Sequence, residues 1–200
     1  MRTGFPKAAP GMRIGLLGGS FDPPHRGHVH ITLRALKRLG LDRVWWLVSP
    51  GNPLKADAPA ALARRMAAAR QVMRHPRVEI TDMEARLATR FTADTLKRMT
   101  ACYPGVRFVW LMGADNMVGF HRWDQWQDIL QRVPVAVMAR PGLQAVAGLS
   151  PAARAFAGAR LPVHAARILA DRPPPAWVMV TGPMVGASST TLRRAGHWVR

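Results

Sequence analysis

Two hundred residues, 48% of them apolar, suffice for one domain with a buried core and leave no room for a second of ordinary size. The longest apolar runs, at 44–48 and 108–112, have strand length and fall far short of the ~20 residues of a membrane span, while the lone Cys102 excludes an internal disulfide and fits the reducing cytoplasm. With 29 Lys and Arg against 11 Asp and Glu, the formal charge of +18 points to anionic partners. These are expected to be phosphorylated small molecules before nucleic acid, because no RNA- or DNA-binding signature accompanies the charge.

Residues 1–11 read as a flexible lead-in without the apolar core of a secretory signal, and 12–200 as the domain. Short apolar runs at 13–17, 43–48, 78–81, 107–112, 135–139 and 177–180 alternate with amphipathic stretches at 28–39, 60–74, 92–101, 126–131, 151–157 and 189–195. That alternation predicts an α/β fold, a single Rossmann-like doubly wound domain with a mostly parallel sheet and helices on both faces. Ligands then bind beyond the carboxyl ends of the strands, in the loops after the first, second, fourth and sixth runs. Arg34, Lys37 and Arg38, and likewise Arg64, Arg65, Arg70 and Arg74, have the spacing of solvated helix faces. Turn formers make loops of 49–59 and 161–175, residues 143–170 suggest no role, and an oligomer is left open.

After the first strand comes Gly18-Gly19-Ser20-Phe21-Asp22-Pro23-Pro24-His25-Arg26-Gly27-His28, leading into a helix. Gly18, Gly19 and Gly27 let a nucleotide approach the backbone, and the helix start offers N–H donors and the positive end of its dipole to phosphate. His25 and His28, three residues apart, project from nearly one side of the first turn. Two imidazoles aimed at one anion can stabilise the charge that gathers when a phosphate oxygen attacks an α-phosphorus. The same pair could instead bind a metal or cap the helix. A Walker loop is excluded, since no Gly-Lys-Ser or Gly-Lys-Thr follows.

His25-Arg26-Gly27-His28 resembles the His-x-Gly-His signature of the nucleotidyltransferase superfamily, and the preceding glycine loop is similar to that of its nicotinate-nucleotide adenylyltransferases. Ser188-Ser189-Thr190-Thr191-Leu192-Arg193 resembles the late Ser-Ser-Thr-x-x-Arg signature. The resemblance covers residues 12–196 and implies catalysis by His25 and His28. It implies ATP binding by Gly18, Gly19, Ser20, Phe21, Gly27, Gly113, Asp115, Ser188, Ser189, Thr190 and Arg193.

Gly113-Ala114-Asp115-Asn116 with downstream Trp123 is similar to a family segment in which the Asp bonds a ribose and the Trp stacks on the pyridine, a role for which Trp126 competes here. Phe91-Thr92-Ala93-Asp94-Thr95-Leu96 resembles a helix start that receives the nicotinate carboxylate, with Phe91 replacing the usual tyrosine. Asp22, Lys55, Thr92, Trp123 and Arg140 are thus the residues implied for the nicotinate nucleotide. The implied reaction transfers the adenylyl group of ATP, carried with Mg²⁺ on phosphate and water and without protein metal ligands, to nicotinate mononucleotide in NAD biosynthesis. Its rivals are another phosphorylated acceptor, such as phosphopantetheine or nicotinamide mononucleotide, and a basic nucleic-acid-binding protein.

Overall fold

The computed structural model describes residues 4–51, 58–183, 185–196 and 198. Seven strands, β1 (Arg13–Gly19), β2 (Arg43–Val48), β3 (Val78–Thr81), β4 (Arg107–Gly113), β5 (Val135–Met138), β6 (Arg160–Leu161) and β7 (Trp177–Val180), form one sheet in the order β3-β2-β1-β4-β5-β7-β6. Every neighbouring pair is parallel. Such strands are covered on both faces, and the sequence does this by alternation. Adjacent Trp45 and Trp46 are both fully buried, but Trp45 joins the core on one side of the sheet and Trp46 the core on the other.

The Trp46 side is covered by α1 (Arg26–Arg38), α2 (Leu62–Val72) and a 3-10 stretch, Val163–Asp171. The Trp45 side takes α3 (Met83–Arg86), α4 (Thr92–Cys102), α5 (Ala114–Gly119), α6 (Trp126–Arg132), α7 (Gln144–Gly148) and α8 (Pro151–Ala155). A last helix, α9 (Ser189–Arg194), follows β7. Strand order reverses between β1 and β4, and the crevice of a doubly wound sheet opens there.

Three expectations are corrected. The lead-in is packed where it is described: Phe5 and Ala8 lie against the core, Tyr103 Oη donates to the Pro6 carbonyl (2.9 Å), and Gly11 N–H donates to Gly105 O (2.7 Å). The supposed loop at 161–175 contains the 3-10 stretch, which buries Ala166, Leu169 and Ala170, and is preceded by the two-residue edge strand β6. Arg65 is no solvated helix residue, being only 1% exposed. The region from Leu143 onward now has a structural task, since α7 and α8 cover the sheet beside β5 and β7 with Ala147, Ala152 and Ala153.

Candidate active site

A cavity of about 460 Å³ opens at the carboxyl ends of β1 and β4, a size ordinary for nucleotide-sized ligands. Its floor needs glycine. A Cβ on Gly18 would stand 2.3 Å from Trp110 Cη2, and one on Gly113 would stand 2.3 Å from Asp115 Oδ1 and 2.8 Å from Arg140 Nε. Phe21 has left-handed backbone (φ 46°), held there by a buried ring that stacks on Trp46 at 4.7 Å.

His25 is the N-cap of α1 and His28 its third residue, and the two form a reciprocal capping box. Gly27 N–H donates to His25 Nδ1 (3.1 Å), and His25 N–H to His28 Nδ1 (3.2 Å). A neutral imidazole that accepts at Nδ1 carries its proton on Nε2, so this network assigns both rings as Nε2–H donors. Capping uses only the Nδ1 atom of each ring, so it does not prevent the Nε2–H groups from donating to an anion. The rings stack with centroids 3.9 Å apart, and Phe21 (4.7 Å) and Trp46 (5.8 Å) enclose His28.

Burial, reinforced by Arg140 and opposed by Asp115, lowers His25 to about 4; burial, then His25 and Arg140, hold His28 well below the usual histidine range. Both rings are neutral at physiological pH. An NMR titration should accordingly show no protonation of either ring between about pH 7.5 and 5.5, where an ordinary histidine titrates. Titration of either near pH 6.5 would contradict the buried, backbone-anchored arrangement.

The late motif reaches the same cavity. Ser188, Ser189 and Thr190 line it, and Ser189 Oγ donates to the Pro23 carbonyl (2.9 Å) across 166 positions of chain. Ser188 also caps α9, accepting from Thr191 N–H at 3.1 Å. Opposite lie Asp115 and Arg140, an ion pair at 2.9 Å whose geometry is that of facing charges rather than an aligned hydrogen bond. Trp123 is held edge-on by Trp110 (6.4 Å) and Phe120 (5.2 Å) with part of its surface free.

The cytidylyltransferase-like family matches residues 16–195. A probable nicotinate-nucleotide adenylyltransferase of Ruegeria pomeroyi is 61% identical over 99% of this chain and 93% of its own length, and its namesake in Roseobacter denitrificans is 59% identical over 100% of both. The chain belongs to the nicotinate-nucleotide adenylyltransferase family. Among solved structures, the nicotinic acid mononucleotide adenylyltransferase of Plasmodium falciparum, complexed with NaAD, is similar in fold at a TM-score of 0.70 and 15% identity, over 92% of this chain and 83% of that one.

Of the residues that the family resemblance implies, Gly18, Gly19, Ser20, Phe21, His25, His28, Thr92, Gly113, Asp115, Trp123, Arg140, Ser188, Ser189 and Thr190 line this one cavity. Gly27, Asp22 and Arg193 are not in its wall. Gly27 instead makes room, since a Cβ there would meet the His25 ring at 2.9 Å and the Ala187 carbonyl at 3.1 Å. Asp22 is buried, and its Oδ1 accepts from Trp198 Nε1 (2.7 Å) and Ala60 N–H (3.3 Å). Arg193 donates to the Asp22 carbonyl and to Thr190 Oγ1 (3.3 Å), so in this arrangement it fastens the two motifs together. Lys55 lies outside the described residues. Trp126 packs on Phe120 and Phe156 instead of entering the cavity, which leaves Trp123 as the stacking candidate.

Sequence reasoning missed Glu84, Arg90 and Arg122 in the wall, and Arg65 behind it. Arg65 donates from Nε to Ala60 O (2.6 Å), from NH1 to Ser20 O (2.6 Å) and Ser49 O (2.7 Å), and from NH2 to Pro50 O (3.2 Å). Ser20 and Ser49 belong to the cavity wall, so this one buried guanidinium clasps the loops after β1 and β2. Its neighbours Arg64 and Arg70 are exposed, and nothing in the spacing marks Arg65 as different.

Proposed function

We propose that the chain transfers the adenylyl group of ATP to nicotinate mononucleotide, forming nicotinate adenine dinucleotide and pyrophosphate. The observation that carries this is the convergence of two Nε2–H imidazole donors with the Ser188–Thr190 hydroxyls on one cavity at the β1–β4 reversal. An ionised phosphate oxygen of the mononucleotide attacks the α-phosphorus of ATP; the new P–O bond forms as the bond to the β-phosphate bridge breaks, and pyrophosphate leaves. No general base is required. His25 and His28 donate to the charge growing on the α-phosphate and the bridge, preorganised by their backbone anchors. Ser188, Ser189 and Thr190 bind the triphosphate, Asp115 a ribose, and Arg140, held by Asp115, a phosphate.

Trp123 stacks on the pyridine, and the start of α4 at Thr92 receives the ring carboxylate. Mg²⁺ brought in on ATP would be held by phosphate oxygens and water, and would supply positive charge to the triphosphate. Asp115 is already paired with Arg140, which suits an ion held by phosphate and water rather than by a protein cage. Cys102, the single cysteine of the sequence, suits the reducing cytoplasm as the place of the reaction. Among the described residues no helix is long and apolar enough to cross a membrane.

Pyrophosphate release from ATP should be fastest with nicotinate mononucleotide, compared separately with its amide and with phosphopantetheine. Preference for phosphopantetheine would overturn the acceptor. Absence of release with all three, beside RNA or DNA binding that persists at high salt, would overturn the enzyme itself.

A further inference from the structure

Glu84 lies in the cavity wall and is only 6% exposed. Its main-chain carbonyl accepts from Thr89 N–H (3.0 Å) and Thr89 Oγ1 (3.3 Å), but among the described residues its carboxyl has no hydrogen-bond or ion-pair partner. The wall continues through Arg90 and Phe91 to Thr92, where α4 begins. Phe91 offers α4 no side-chain cap, so the N–H groups of its first turn have no intrahelical acceptor. A buried acid without a side-chain partner and an uncapped eleven-residue helix thus border the same cavity, linked through Thr89, whose Oγ1 bonds both the Glu84 carbonyl (3.3 Å) and Thr95 Oγ1 of α4 (2.8 Å).

We propose that Glu84 is a specificity-determining residue, donating its carboxyl proton to the carboxylate of the acceptor's pyridine ring while the start of α4 supplies N–H donors to the same group. This rests on the acceptor proposed above and adds the element that separates an acid from its amide. A carboxylate accepts from the carboxyl and the helix together. An amide has one acceptor oxygen, and its own N–H groups face donors. Loss of the proton from Glu84 reverses the preference, because a carboxylate there repels the ring acid and accepts from an amide N–H.

Burial pushes the Glu84 carboxyl up to about 8, so it is an acid at physiological pH. The charged groups around it do not undo this. Asp82 and Arg86 on its own element pair with each other at 2.6 Å. Arg90 follows in the loop, Asp94 sits in the first turn of α4, and Arg122 and Asp124 belong to the same cavity wall. β2, on which α3 packs, has Arg43 as its only charged residue. None forms an ion pair with Glu84 among the described residues.

The test is the ratio of kcat/KM for nicotinate mononucleotide to that for its amide, measured with ATP from pH 6.5 to 9.5 in the full chain and in Glu84→Gln. Both acceptors share the phosphate and the histidines, so those titrations cancel in the ratio. In the wild type the ratio should fall about 10-fold or more as pH rises through 8, as expected for exchanging a donor for a like charge. In Glu84→Gln, which cannot ionise, it should be flat. Stability gives a second reading. The folded wild type holds a proton that the unfolded chain releases near 4.5, so its Tm should drop relative to Glu84→Gln from about pH 5 to 8 and level off above.

A wild-type ratio that does not change with pH overturns the proposal, even if the variant fails to fold. The same pH course in both proteins also overturns it while leaving the acceptor standing. Failure of the wild type to use nicotinate mononucleotide removes both.

Discussion

His28→Ala is expected to keep the fold and lose about 10²–10³-fold in kcat, the usual cost of deleting one preorganised donor to transition-state charge. The ring is held by the His25 N–H on its Nδ1 and by Phe21, Trp46 and His25 around its faces, so its Nε2–H needs no reorganisation when charge develops. Structurally the substitution removes one acceptor from the capping box of α1 and the ring contacts with Phe21, Trp46 and His25, together a loss of about 1–2 kcal/mol, less than the kinetic effect. Circular dichroism and Tm should therefore change little while turnover collapses, and KM for ATP should move far less than kcat. Near-normal turnover in a folded His28→Ala protein would remove the histidine from the chemistry.

Arg65→Met is expected to act on stability first and on binding through it. The substitution removes the guanidinium donors from four carbonyls, in buried bonds to Ser49 and Ala60 and in partly buried ones to Ser20 and Pro50. Unsatisfied buried acceptors cost ~1–3 kcal/mol each before relaxation, and partial rehydration brings the sum to about 3 kcal/mol or more. For a domain of this size that lowers Tm by roughly 10 °C. Because Ser20 and Ser49 also line the cavity, the surviving folded protein should show a raised KM for nucleotide. Arg65→Lys, with a point charge in place of a planar fork, should recover only part of either loss. Full retention of Tm in Arg65→Met would show that the clasp is dispensable.

What could be read from the chain and what could not divides by the range of the interactions. Six of the seven strands were legible because each is a short apolar run, and the glycine loop and His25/His28 because their spacing is local; β6, two residues beginning with Arg160, has no such run and went unseen. The start of α1 at Arg26, two residues before the expected position, reflects the use of an imidazole as N-cap, a choice that propensity does not favour. α5 escaped notice because six residues are too few for a periodic pattern. Asp22 and Arg193 carry ligand-like chemistry, yet both are spent on contacts spanning more than 170 positions, which no local pattern reveals. Arg65 and Glu84 are the sharpest cases. One looks like any helix-surface arginine and the other like any acid, and only the packing around them makes one a clasp and the other a proton donor.

The stitching of α9 onto the loop after β1 has a consequence for the growing chain. A ribosome releases the glycine loop and both imidazoles well before the serines that complete the pocket, Ser189 following its partner Pro23 by 166 positions. Half-made molecules thus have strands to collapse around but no finished seat for a triphosphate. Competence for the nucleotide comes only once the chain through α9 has emerged, which ties cargo capture to completion of this fold.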